Sequence, residues 1–420
     1  MKDQLKEAII HTSETFGLDN YYLNRHHIFR EKNNFHQTNY ILNMEWIPND
    51  ADKTDEDHIP SGTTIIDMEL HTKTLKRIVF TQGTSNAKEE LYPSSDSESI
   101  IEWIEGITGY QYGHQFQISH QEEDAITFRA AVDNVGVIPS GKMEVELEGD
   151  MMTLFTIDGV FPSEDKIIWE PFSLTSDQVE PLAMDQCKIT EVPLEEQEIW
   201  LPVYGIEKTI ITNDGSRTIP VEAVEQAGVE VKLDTVLEWD EPIKEAFERA
   251  EIDLSPEVTV EQAIANEPHP DLLPITEEAQ EKSTEEARRF LQREFPDESS
   301  QLKLTSLLRE NGYLIANLEP VDSGNRIIER KIKLVMDDVN FNVLNYTDNN
   351  VVLEMFQFYE SAEKPTISKD EAYKKLYEHI EVTPVYVYDP KIESYIMCGM
   401  IDCAYGVNAV SGEVILLKEM

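Results

Sequence analysis

The sequence predicts an α+β protein assembled from tandem modules, each a single helix packed on a small antiparallel β-meander. Three observations carry this reading. The C-terminal residues run in order as a capped helix, a set of strands and a glycine-closed turn. The same order recurs in weaker form upstream, and the opening Ser283-Thr284-Glu285-Glu286-Ala287 echoes Ser368-Lys369-Asp370-Glu371-Ala372. Finally, 420 residues are too many for one ordinary core, so several compact units are expected.

The first unit spans residues 1–90. Residues 2–16 place Leu5, Ala8, Ile9, Thr12 and Phe16 on one helical face, with Gly17 as the stop. Residues 39–47 alternate as a strand, 49–60 are a polar acidic loop, and 63–70 with 75–81 form a hairpin around His71-Thr72-Lys73. In the second unit, 91–165, Ser97 caps a helix through Ile100, Ile101 and Ile104 to Gly106. Strands follow at 110–120 and 125–132, then a hairpin of 142–147 and 151–157 around Glu148-Gly149-Asp150. The third, degenerate unit, 166–221, opens at Leu174-Thr175-Ser176-Asp177 into a short helix. Its strands are 199–206 and 208–212, and Asn213-Asp214-Gly215 turns the chain into 217–221.

Strand signals fade across 222–282, where acid and proline accumulate. This stretch reads as a connector with short helices at 243–250 and 260–265, held down by Trp239, Leu254 and Leu272. The fourth unit, 283–360, starts its helix at Ser283 and continues with strands 302–307, 312–318, 327–336 and 341–346; residues 351–359 add an extra strand. In the C-terminal unit, 361–420, Ser368 with Asp370 and Glu371 starts a helix as a capping box does. Ala372, Leu376, Tyr377 and Ile380 make its apolar stripe, and Thr383-Pro384 ends it, because the residue before a proline is pushed out of the helical region. A strand at 385–388, the turn Asp389-Pro390 and paired strands at 394–399 and 401–408 follow. Gly412 then supplies the positive φ of a tight turn into 414–417.

The run 385–417, ending Asn408-Ala409-Val410-Ser411-Gly412-Glu413-Val414-Ile415, resembles PepSY-like modules, and more closely the YcdB/YcdC-type repeat proteins of Bacillus-like bacteria. In those modules a helix packs on a small antiparallel sheet and a D-A-x-T-G-x-v turn joins the last two strands. Asn408 and Ser411 stand where that pattern prefers Asp and Thr. The resemblance implies a bacterial protein of PepSY-like repeats and no established activity, although such modules are associated with binding or inhibiting peptidases.

Acidic residues number 82 against 35 basic, a formal charge of -47. Such a field repels nucleic acid and anionic membranes, whose binding rests on Lys and Arg meeting phosphates, so neither is expected as a partner. The acidity itself has three readings: a solvated surface suited to salt, a divalent-cation site, or attraction to a basic partner. Cys187, Cys398 and Cys403 read as small apolar fillers rather than redox or metal groups. No apolar run is long enough for a membrane span, and residues 1–7 are charged rather than signal-like, so a soluble, cytoplasmic protein is expected.

Catalytic signatures fail on inspection. H-E-x-x-H, G-x-S-x-G, a glycine-rich phosphate loop and paired C-x-x-C are all absent. The acidic stretch 50–57 has Asp55 where a calcium loop needs glycine and Ser61 where it needs the bidentate Glu, so it reads as a solvated connection. His26 and His27, with His11 and His36 nearby, form the one histidine cluster, but adjacent strand residues face opposite ways and suit no common metal. Glu122-Glu123-Asp124 and Asp337-Asp338 read as turns. No catalytic residue, cofactor or metal ligand is assigned.

The candidate interaction surface is aromatic: Tyr386, Tyr388, Tyr395 and Tyr405 can form a sheet face that holds a peptide, or can pack beneath the covering helix. The expected function is a non-enzymatic protein- or peptide-interaction protein, inhibitor-like or chaperone-like, that presents sheet faces or edges. The alternatives are an acidic structural or solubilising protein of a stress, spore or high-salt setting, and a hydrolase whose acid pairs meet only on folding. The partner and the oligomeric state are not legible.

Overall fold

A single amphipathic helix opens the chain: α1 (Lys2–Thr15) buries Ala8 and Thr12 against the first sheet, and the chain continues the contact through Phe16 and Leu18. The computed structural model describes residues 2–51, 59–83, 85, 87–221, 224, 229–254, 258–322 and 324–419. The architecture is mixed α+β and mostly sheet, with seven α-helices among the described residues. The acidic stretch 50–57, expected to be a solvated connection, falls largely on residues 52–58, outside those described.

After α1 come β1 (Tyr21–Lys32), β2 (Thr38–Pro48), β3 (Thr64–Glu69) and β4 (Leu75–Phe80). Helix α2 (Ser97–Thr108) precedes β5 (Phe116–Gln121), β6 (Ala125–Val132), β7 (Val135–Ile138), β8 (Lys142–Glu148) and β9 (Met151–Asp158). Helix α3 (Ser176–Asp185) leads to β10 (Cys187–Leu194), β11 (Ile199–Ile206), β12 (Thr209–Thr212) and β13 (Thr218–Ile219). The middle of the chain holds β14 (Glu230–Val236), α4 (Val260–Ile264), α5 (Glu277–Glu294), β15 (Leu302–Glu310), β16 (Tyr313–Pro320), β17 (Ile332–Met336), β18 (Val343–Asp348) and α6 (Asn350–Glu354). Helix α7 (Lys369–Leu376) then precedes β19 (Glu381–Asp389), β20 (Ser394–Asp402), β21 (Tyr405–Asn408) and β22 (Val414–Leu416).

These strands form three sheets. The largest has thirteen strands in the order β1-β2-β3-β4-β9-β8-β6-β7-β19-β20-β12-β13, with β5 paired to β6. Its one parallel join is β7 with β19, where Val137 and Ile138 face Tyr386 and Val387. Through that join Tyr386, Tyr395 and Met397 enter the N-terminal core, beside residues such as Tyr40, Phe128 and Phe155. A four-stranded sheet, β10-β11-β21-β22, shares a core with α3 and α7, in which Val179, Ala183, Tyr373 and Leu376 meet Ile211, Ile401 and Val407. The third sheet, β14-β15-β16-β17-β18, is covered by α5 through Phe290 and Leu291.

Several sequence expectations give way to tertiary contacts. Asp96, not Ser97, caps α2: its carboxylate accepts from the Ser99 amide at 2.9 Å. Ser283 does not start a helix, because α5 begins six residues earlier behind Thr276, whose hydroxyl accepts from the Ala279 amide. Ser283 is instead buried in mid-helix. Residues 243–250 are not helical; the Ile243 amide donates to Gln292 and the Ala250 amide to Leu344, so the segment is laid out along α5 and β18. The connector also contributes a strand, β14, to the third sheet.

The expected strand at 351–359 is α6 and the turns that follow. Asp348 accepts from the Asn350 amide and Asn349 from Val352, which winds the backbone at once. Helix α7 ends at Leu376, so Thr383 and Pro384 lie inside β19. Pro384 precedes the two residues where β7 pairs, and its missing N–H costs no ladder bond on that side. The C-terminal strands are not one meander. The chain leaves the large sheet after β20 and enters the four-stranded sheet at β21. Gly412, at φ 74°, does close the β21–β22 turn, with the Asn408 side chain accepting from the Val410 and Ser411 amides. No helix among the described residues is long and apolar enough to cross a membrane.

Candidate functional site

Strand β1 ends the large sheet and pairs only with β2 among the described strands. Its register slips between Leu23 and Arg25, a bulge that turns Asn24 and Arg25 together toward Glu45. The buried Glu45 carboxylate accepts from Asn24 Nδ2 at 2.6 Å and from Arg25 Nε at 2.9 Å, which fixes the start of the edge.

Beyond the bulge lies a groove of about 690 Å³. One wall is β1 itself, residues 25–30 without a gap; the other is Leu254, His269, Pro270, Asn311 and Gly312. Six consecutive strand residues can line one groove only when the strand is presented edge-on, since successive side chains point to opposite faces. That geometry brings His26 and His27 to the same groove, despite their opposite faces, and adds His269 from the far wall. His11 and His36 do not line it.

The far wall is locked by Asp271. Its carboxylate accepts from the amides of Asn311 at 3.0 Å and Gly312 at 2.8 Å, and it pairs with Lys32 Nζ at 3.1 Å. Burial alone would raise this carboxyl, yet the Gly312 amide and Lys32 bring it below the ordinary Asp value. Nearby, the His269 ring accepts from the Asp271 amide through Nδ1, and burial lowers its pKa, so it is held neutral. Tyr40 Oη donates to the Glu267 carbonyl at 2.6 Å, and the His269 amide donates to Thr38 Oγ1 at 2.7 Å. Those two bonds fasten the connector to β2.

The electrostatics of the groove oppose those of the chain. Acids are about one residue in five overall, yet no carboxylate stands among the described lining residues, whereas Arg25, Arg30 and three histidines do. Arg25 is paired with Glu45. Arg30 donates to the Pro268 carbonyl at 3.4 Å and has no carboxylate in ion-pair reach among the described residues. Ile28 and Phe29 supply apolar surface between the cations. Chemically, the site offers a strand edge unpaired among the described strands, with Arg25 and Arg30 at its two ends, which suits an extended chain carrying carboxylates. No group of three His, Cys, Asp or Glu among the described residues is placed to hold a metal ion.

The four tyrosines singled out in the sequence lie elsewhere: Tyr386, Tyr388 and Tyr395 share one face of β19 and β20, and Tyr405 does not. Tyr386 and Tyr395 are buried, and Tyr386 meets Trp169 edge-on. Tyr388 and Tyr395 meet edge-on and both contact Phe35, lining a cavity of about 160 Å³ with Phe161, Lys166 and Glu393. Tyr405 sits in the other core against His379, with ring centroids 4.2 Å apart. The three cysteines are buried and unbridged. Sequence reasoning missed β1 as an element; the available signal was the run Arg25-His26-His27 in so acidic a chain.

No protein-family model matches the chain, and no curated protein matches it in sequence. Among solved structures, the Bacillus megaterium YpeB C-terminal domain aligns at 13% identity with a TM-score of 0.26, over 51% of this chain and 96% of that one. At that score the likeness carries no argument about this chain, and the YcdB/YcdC-type repeat has no match of its own.

Proposed function

We propose that the protein is a non-enzymatic interaction protein that holds an extended, acidic segment of a partner protein along β1. The observation that carries this reading is a groove lined by Arg25 and Arg30 and, among the described residues, by no carboxylate, beside a strand edge that no described strand pairs, in a chain of formal charge -47. Backbone pairing with β1 supplies affinity that does not depend on sequence, and Arg25 and Arg30 select negative side chains. The surrounding acidity rejects ligands that present carboxylates anywhere but the groove, so the same charge serves specificity.

PepSY-like modules remain the architecture we infer for residues 166–221 and 361–420. The support is local: α3 and α7 each begin at a Ser/Thr-x-x-Gln/Glu pair, at Thr175 with Gln178 and Ser368 with Glu371. Each helix then leads into strands that pair across the two segments, β11 with β21 and β12 with β20.

Fluorescence anisotropy with a labelled peptide of alternating Glu and Val tests the binding reading against the alternating Lys and Val counterpart. The acidic peptide should bind the full chain, and Arg30→Glu or His27→Glu should weaken it about tenfold, a loss of about 1.4 kcal/mol. Preference for the lysine peptide, or indifference to both substitutions, overturns it.

A further inference from the structure

The segment from α6 to Glu360 is apolar on both of its sides. Its inner side, Phe356 and Tyr359, packs on Trp200, with ring centroids 5.5 and 6.5 Å away. Trp200 is 2% exposed and carries the Arg326 guanidinium over its ring at 4.3 Å. The C-terminal margin is pinned to β11 and its turn, since the Trp200 amide donates to Glu360 and the Glu360 amide to Glu198, and at the other margin the Asn349 amide donates to Lys331. The segment is therefore a fixed shelf.

The outer side is a stripe of Val351, Met355 and Phe358, exposed by 72%, 69% and 82%. Val351 lies in α6 and Met355 and Phe358 in the turns that follow, so the three stand within eight residues of one segment. Single exposed apolar residues need no explanation, but three so close together on a pinned element form a patch. A cavity of about 400 Å³, lined in part by Leu353, Phe356 and Gln357 of the same segment, opens beside it.

The charge around this patch has one sign. Glu354, Glu360 and Glu363 stand against Lys364 alone between residues 350 and 364. Across the shelf, Glu195 and Glu198 lie close enough to add to the burial that raises the Tyr359 hydroxyl. The two cations at the cavity are already engaged, Arg326 by Trp200 and by Glu191 at 3.5 Å, and Arg330 by Glu298 and Asp348.

We propose that this stripe docks a basic amphipathic helix of a partner protein, with the helix's apolar face on Val351, Met355 and Phe358 and its Lys and Arg side chains on the surrounding glutamates. Apolar contact supplies the affinity and the charge sets orientation and on-rate. The site is separate from the β1 groove and opposite to it in charge, so the two bind different segments.

The test is anisotropy of a labelled Lys/Leu amphipathic helical peptide with the full chain at physiological ionic strength. Met355→Asp and Phe358→Asp, both at exposed positions, should each weaken binding about tenfold, while Val339→Asp, exposed on a distant turn, should leave it unchanged. Circular dichroism melting checks that the variants fold. Equal binding by all four proteins would mean that bulk charge alone attracts the peptide, and overturns the proposal. Tighter binding of a Glu/Leu helix overturns it too. So does concentration-dependent dimerisation of the wild type in sedimentation that Phe358→Asp abolishes, which would make the stripe a contact between copies of this chain.

Discussion

The carboxylate of Asp271 lies 3.1 Å from the ammonium of Lys32, and through that pair the turn at 270 is joined to the end of β1. Two backbone amides from the β15–β16 turn complete the carboxylate's shell. Both walls of the groove therefore meet at one buried charge. Asp271→Ala leaves Lys32 and two amides without their acceptor, and should cost about 3 kcal/mol in chemical denaturation. It should also loosen the far wall and weaken the acidic peptide. Unchanged stability in Asp271→Ala would show that water replaces the carboxylate at no cost.

The same cluster sets a pH dependence. His269 has a folded pKa below its ordinary value, so the unfolded chain takes up a proton first as pH falls below about 6.5. Stability from this group is present above that pH and is lost as pH falls toward the depressed folded value. Asp271 behaves alike at lower pH: its contribution is present above about 3.9 and is lost as pH falls through its lowered folded pKa. Melting temperature should therefore fall on acidification from pH 7 to 6, and His269→Gln should flatten that first step. A melting temperature that rises over the same interval contradicts the assignment.

Thr276 and Ser283 show how far local sequence reached. The Ser-x-x-Glu/Gln rule reads a helix start wherever a hydroxyl precedes an acid by three, and it succeeds at Ser368, where Glu371 accepts from the Ser368 amide. At Ser283 the same pattern sits inside α5, because Phe290 and Leu291 extend the buried face back through Ala287 and Ala279 to Thr276. The substitution pair separates the two. Thr276→Ala removes a cap and should cost about 1 kcal/mol. Ser283→Ala removes a buried hydroxyl that has no hydrogen-bond partner among the described residues, so it should be neutral or stabilising. Thermal melting of the two variants decides it.

Alternating strands with a buried face were legible, and β2, β3, β4, β6, β8 and β9 fall within a few residues of their expected spans. Strand β1 was not, for a physical reason. Residues 24–27 are exposed, so no alternation marks it as half-buried. An edge strand exposed along its middle carries the sequence pattern of a loop. Strand pairing was equally hidden, because residues 137–138 and 386–387 meet across the whole chain and neither segment names the other. Hence the aromatic face at 386–397, which in sequence reads either as a peptide-holding surface or as packing beneath the helix, serves as the seam between the N- and C-terminal segments.

Tyr395 tests that seam. Its ring is fully buried against Phe35 and Tyr388, whereas its hydroxyl meets no hydrogen-bond partner among the described residues. The ring and the hydroxyl should then separate cleanly. Tyr395→Ala opens a cavity in the N-terminal core and should cost about 3–5 kcal/mol. Tyr395→Phe keeps the packing and drops an unmatched polar group, so it should be neutral or stabilise by about 1 kcal/mol. A substantial loss in Tyr395→Phe would mean that ordered water fills the cavity beside Lys166 and bonds the hydroxyl. In that case the seam is held by a polar contact as well as by aromatic packing, and its stability should fall further in Lys166→Met.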